Sequence, residues 1–136
     1  MKGVAKRVDY KGGAKTVCVS ACLAALGVSP EAYNYTSSKG NRYAWENVLR
    51  RFGYSVRSRA TEFKVTKADR YSPKLANLSD VRARLKKSKY THNDRFLLTL
   101  EQSKCAHLIL VDGNGEIIRD TAPKMRWKVS RITLVQ

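Results

Sequence analysis

Acidic residues are scarce in this chain: 11 Asp and Glu stand against 27 Lys and Arg, a formal charge of +16 over 136 residues, with a pI near 10.1. A balance this one-sided attracts polyanions over long range, so the expected partner is nucleic acid or an acidic protein. Cysteine is scarce as well. Three thiols make an odd, thin set, where a secreted disulfide scaffold uses an even, dense one, so reduced thiols are expected. No apolar run approaches the roughly eighteen residues of a membrane-crossing helix. No apolar segment or small-residue cleavage site follows the basic start Met1 to Arg7, so the reading is of a soluble chain without a secretion signal, resident in a cytoplasm and away from membranes. Internal repeats and low-complexity tracts are also missing, which sets aside solenoids and disordered tails.

What is present suffices for one core. Hydrophobic residues make up 43% and aromatics 9%, enough for a single domain over 1–136, with residues 1–15 as a flexible lead-in. Val17 to Leu26 is apolar almost all round and is followed by Gly27, the pattern of a buried helix with Thr16 as its cap. Ser29-Pro30-Glu31 starts a short helix reaching Tyr35. Trp45, Val48, Leu49 and Phe52 form one stripe closed by Gly53, an amphipathic helix with Arg50 and Arg51 on its outer side. The stretch from Tyr54 to Pro73 has room for one or two edge strands. Asn77-Leu78-Ser79-Asp80 opens a further helix bearing Val81 and Leu85, with Arg82, Arg84, Lys86 and Lys87 decorating its end. Phe96 to Leu100, Ala106 to Val111, Glu116 to Asp120 and Val129 to Val135 read as strands. The order predicts an α+β fold, N-terminal helices packed on a C-terminal antiparallel sheet.

Asp112-Gly113-Asn114-Gly115 lies between two of those strands and predicts a tight hairpin. If Asp112 pairs with Gly115, then Ile109 opposes Ile118 and His107 opposes Asp120 on one sheet face. Directly opposed residues have Cβ atoms about 4.5 to 5.5 Å apart, close enough for a carboxylate to orient an imidazole. A histidine held in this way is a competent base for a thiol. Cys18 is the candidate nucleophile, placed by this reading in the first turn of its helix, where free N–H groups and the dipole favour thiolate. Cys22, one turn further on, is expected to be buried instead.

The segment Val17-Cys18-Val19-Ser20-Ala21-Cys22-Leu23-Ala24 resembles the Asp-Cys-Gly-x-Ala-Cys-Leu-Ala segment of bacteriocin-processing peptidase domains. It is also similar to the Asn-Asp-Cys-Val-x-x-Ala segment of small papain-like cysteine peptidases of bacteria and their phages. Their later His-Leu-x-x-Val-x-Asp-Gly-x-Ile-x-Asp-Thr stretch has its counterpart in His107 to Gly113 followed by Ile117 to Thr121. The resemblance spans about half the chain. It implies a papain-like fold with Cys18 as nucleophile, His107 as base and Asp120 as orienting carboxylate, acting on a protein or peptide substrate without a cofactor. One departure stands out: these peptidases place a Gln about six residues before the nucleophile to complete the oxyanion hole, and here that position is Gly12. Thr16, Lys15 or a backbone amide must take its part, or the protein is slow or inactive, since one lost donor costs about 3 to 4 kcal/mol in the transition state.

Two other readings stay open. Cys18, Cys22, Cys105 and His107 have the composition of a Cys₃His zinc site, although Cys22 sits in a Leu-Ala-Ala environment typical of core. Alternatively, the chain is an inactive peptidase-fold protein that binds nucleic acid through Arg50, Arg51, Arg82, Arg84, Lys86, Lys87 and Lys89, with Tyr54 and Tyr90 as candidate base stackers. The phage resemblance and the charge place it in an infected bacterium or beside DNA in a virion.

Overall fold

A computed structural model describes residues 14–28, 44–60, 62–63, 76–102, 105–122 and 128–136, and for residues 14–17, 44, 102, 105 and 106 the backbone alone. The lead-in before residue 14 and the expected helix at Ser29 lie outside these. The described residues form three helices and one six-stranded antiparallel sheet. In chain order they are α1 (Ala14–Ala25), α2 (Ala44–Arg51), β1 (Val56–Ser58), β2 (Ala76–Asn77), α3 (Leu78–Lys86), β3 (Arg95–Gln102), β4 (Cys105–Asp112), β5 (Ile117–Arg119) and β6 (Lys128–Val135).

Helices α1 and α2 end alike. Gly27 and Gly53 adopt φ of +88° and +89°, which turns the chain so that Val28 N–H reaches Leu23 O at 2.9 Å and Tyr54 N–H reaches Leu49 O at 3.1 Å. These are Schellman closures, in which a left-handed residue satisfies the last carbonyls and folds the next apolar side chain back on the helix. At the other end α1 begins at Ala14, earlier than Val17, because Ala14 and Lys15 are good helix formers. Thr16 is therefore the third residue of the helix rather than the one before it. Helix α3 starts from Asn77 in extended conformation and buries Val81 and Leu85.

The sheet order is β1-β6-β3-β4-β5, with β2 pairing the start of β6. β3 pairs with β4 along its whole length, and consecutive residues feed opposite faces. Leu97, Leu108, Leu110 and Val135 pack under α1 and α2, while Phe96, Leu98, Leu100, Ile109 and Val111 pack under α3. Covering on both faces explains why these strands read as unbroken apolar runs rather than alternating ones. The helices divide between the two faces, with α3 opposite α1 and α2. β1 and β2 come from mid-chain and extend the sheet beside β6. The register slips between Thr99 and Leu100, where Val129 and Arg131 are paired but Ser130 is not. That bulge lets Val129 and Ile132, of opposite parity, enter the same core. Among the described residues no helix is long and apolar enough to cross a membrane.

Candidate active site

The β4–β5 hairpin differs from the two-residue turn expected. Asp112 N–H donates to Glu116 O at 2.9 Å, and Gly115 N–H donates to Asp112 O at 3.0 Å, so Asp112 faces Glu116 across a three-residue loop. Gly115 takes φ +81°, the left-handed residue that follows a type I turn in such loops. The Asp112 carboxylate selects this turn by accepting from the N–H groups of Asn114 (2.8 Å) and Glu116 (3.0 Å). A second slip follows: Val111 pairs with Ile117 but Leu110 pairs with Arg119, leaving Ile118 unmatched. One such offset moves every later side chain to the other face, and two restore it. Asp120 thus keeps the side that His107 occupies, two residues along β4 from the opposition predicted.

The outcome is a direct contact. His107 Nε2 lies 2.7 Å from Asp120 Oδ1, and each side chain is only 5% exposed. The same oxygen accepts the Ala122 N–H at 2.8 Å. The hairpin that carries the carboxylate is fastened at its tip, with Gly113 N–H bonded to Thr91 O and Asp94 O and Arg82 Nε donating to Gly115 O at 2.7 Å.

Cys18 is the fifth residue of α1, so it begins the second turn rather than lying in the first, and its N–H is past the four free donors of the helix start. It is also as buried as Cys22, with 2% and 1% exposure, which corrects the expectation that only Cys22 is buried. The two thiols lie one helical turn apart and meet the same residue of β4. Cys22 Sγ–H donates to Leu108 O at 3.4 Å, and the Leu108 N–H supports the Cys18 sulfur. β5 pairs with β4 only at Leu110 and Val111, so beside Leu108 it is α1, not a strand, that takes these backbone groups. The chain matches no family model, no curated protein and no solved structure.

Burial pushes the Cys18 thiol above its ordinary value of 9.0, against the backbone N–H groups of Leu108, Val19 and Cys18, which pull it down, while the Asp120 charge adds to the rise. Burial likewise raises Cys22, with Cys18 and Asp120 adding and Arg119 opposing. The structure therefore joins His107 to Asp120 directly and sets both thiols in the field of that carboxylate. Cys18 meets Leu108, whose side chain lies on the α1 face, whereas His107 pairs with Leu100 of the α3 face.

The side chains of Lys15, Thr16 and Cys105 lie outside the described residues. Among the described residues no three His, Cys, Asp or Glu side chains converge to hold a metal. The basic residues fall into two groups on opposite sides of the sheet. On α2, Arg51 is exposed, whereas Arg50 is engaged by Glu46, Asn47 and Val56 O. Around α3, Arg82 holds the hairpin and Arg84 donates to Phe63 O at 2.8 Å, while Lys86, Lys87 and Lys89 are exposed. Neither tyrosine is an open stacking platform: Tyr54 OH donates to Leu26 O, and the Tyr90 ring packs edge-on against Phe96 at 5.0 Å beneath Lys89 Nζ. Sequence reasoning missed Glu46 and Arg131, whose 2.6 Å ion pair ties α2 to β6, because nothing local marks a cross-sheet partner. It also missed the turn-selecting role of Asp112, for which the signal, an Asp before Gly-Asn-Gly, was in view.

Proposed function

We propose that this protein is a papain-like cysteine peptidase or amide or isopeptide hydrolase of phage type, with Cys18 as nucleophile, His107 as base and Asp120 as orienting carboxylate. The observation that carries the reading is the buried 2.7 Å contact between His107 Nε2 and Asp120 Oδ1. Asp120 accepts only, so Nε2 carries the hydrogen and Nδ1 is the basic nitrogen. The Cys18 proton passes to Nδ1, the sulfur attacks the substrate carbonyl carbon, and His107 returns the proton to the departing amine. Water then hydrolyses the thioester with the same nitrogen taking its proton, while Asp120 stabilises the imidazolium in each step. Burial raises the Cys18 thiol, which opposes free thiolate and leaves its formation to the imidazole. The absent oxyanion Gln leaves its place to Lys15, Thr16 or a backbone amide in this reading, and without one of them turnover is slow.

The test is alkylation by iodoacetamide at neutral pH, with the three thiols resolved by mass spectrometry. Cys18 is expected to react first, and His107→Ala is expected to slow it at least tenfold while leaving Cys22 unchanged. Equal, slow reaction of Cys18 and Cys22 in the wild-type protein overturns the proposal. The near-complete burial of Cys18 favours one second reading, an inactive peptidase fold working through its charge in an infected cell or a virion, and that outcome supports it.

A further inference from the structure

The geometry points to a nucleic-acid-binding face formed by the end of α3 and the segment after it, with Lys86, Lys87 and Lys89 contacting the phosphates of a duplex. This face is independent of Cys18. Lys86 and Lys87 are exposed and, among the described residues, have no acidic partner. The helix dipole accounts for cations in the last turn, here Arg84 and Lys86, but not for Lys87 and Lys89 beyond it. Glu62 is paired with Arg59 and accepts from Tyr90 OH. Residues 80–95 hold six Lys and Arg against Asp80 and Asp94, a net +4 within a chain of +16.

The chemistry of the surrounding surface chooses among polyanions. Thr91, His92 and Asn93 are exposed beside the lysines, adding neutral and imidazole donors of the kind that bond phosphate oxygens. Protein interfaces, by contrast, are poor in lysine and centred on apolar or aromatic anchors. Among the described residues no such anchor is free here: the large exposed apolar side chains are Ile117 and Ile118 on β5, and Tyr90 is committed to Phe63 and Phe96. Among the described residues no open ring is placed here to stack a base, so the lysines read phosphates and not sequence, which suits a duplex better than a single strand.

The test is fluorescence anisotropy of a labelled 24-base-pair DNA duplex titrated with the full chain over a range of KCl concentrations. Each phosphate neutralised contributes about 0.9 to the slope of log affinity against log salt. The variant Lys86→Ala/Lys87→Ala/Lys89→Ala is expected to lower that slope by roughly 2 to 3 and to weaken binding by more than about tenfold at 0.1 M salt. A variant with the same change of charge elsewhere, Arg51→Ala/Arg57→Ala/Lys128→Ala, is expected to retain most of the slope, and Cys18→Ala to retain all of it. Equal losses from the two triple variants, both folded by circular dichroism, overturn the proposal in favour of diffuse charge. Tighter binding of polyglutamate than of the duplex overturns it in favour of an acidic protein partner.

Discussion

Replacing Asp120 by alanine tests the His107–Asp120 contact as an energetic unit. Asp120 Oδ1 accepts from His107 at 2.7 Å and from the Ala122 N–H at 2.8 Å, and the His and Asp side chains are each 5% exposed. Hydrogen bonds to charged groups contribute about 1.5 to 3 kcal/mol each. Losing both is expected to cost about 3 to 5 kcal/mol. At a urea m value of roughly 2 kcal/mol per molar, the midpoint falls by about 2 M. The His107 share is isolated by a double-mutant cycle with His107→Ala. Its coupling is expected at about 1.5 to 3 kcal/mol, because either single change removes the same hydrogen bond to a charged group. Additivity within about 0.5 kcal/mol would falsify the claim that these side chains act as a pair.

Other outcomes follow from the packing. Gly115→Ala is expected to cost at least about 2 kcal/mol in thermal or urea unfolding, since its φ is +81° and a Cβ there would lie 2.4 Å from Arg82 O. Leu85→Ala, at a fully buried site under α3, is expected to cost about 2 to 5 kcal/mol in the same assay. Cys22 has a thiol raised by burial above its ordinary 9.0, so the folded state holds its proton more tightly than the unfolded one. Its contribution is complete below pH 9.0 and is lost as pH rises toward the folded value. Between pH 9 and 10.5 the wild type is expected to lose up to about 1.4 kcal/mol per pH unit more than Cys22→Ala. Parallel urea-derived curves for the two proteins refute that assignment.

The elements were largely legible, and the reasons are local. The stripe Trp45, Val48, Leu49 with Gly53 behind it marks α2, and the same apolar-then-glycine signature closes α1. The strands were visible as apolar runs, but an unbroken run cannot say which element covers each face, so α3 was not placed opposite α1. The pairing of His107 with Asp120 was anticipated through a register that is wrong in two places. Gly115 adds one residue to the loop and Ile118 adds one to β5. The first was readable from Asp112, whose carboxylate selects the longer turn. The bulge was not, because a slip within a strand reflects strand twist and packing more than any residue type. The start of α1 was misplaced because its Ala-Lys beginning resembles the charged lead-in before it, and the depth of Cys18 followed from that error.

The position of α1 beside Leu108 has a consequence for assembly. Where β5 stops, two sulfur atoms close the margin of β4, one at its N–H and the other at its C=O. Cys18, Cys22 and Leu108 are 2%, 1% and 3% exposed, so the helix itself shuts this margin to strand addition by a second chain. Cys18→Ala/Cys22→Ala is expected to leave the gel-filtration profile unchanged while lowering stability in urea by about 1 to 3 kcal/mol, as the buried Leu108 groups lose their sulfur partners.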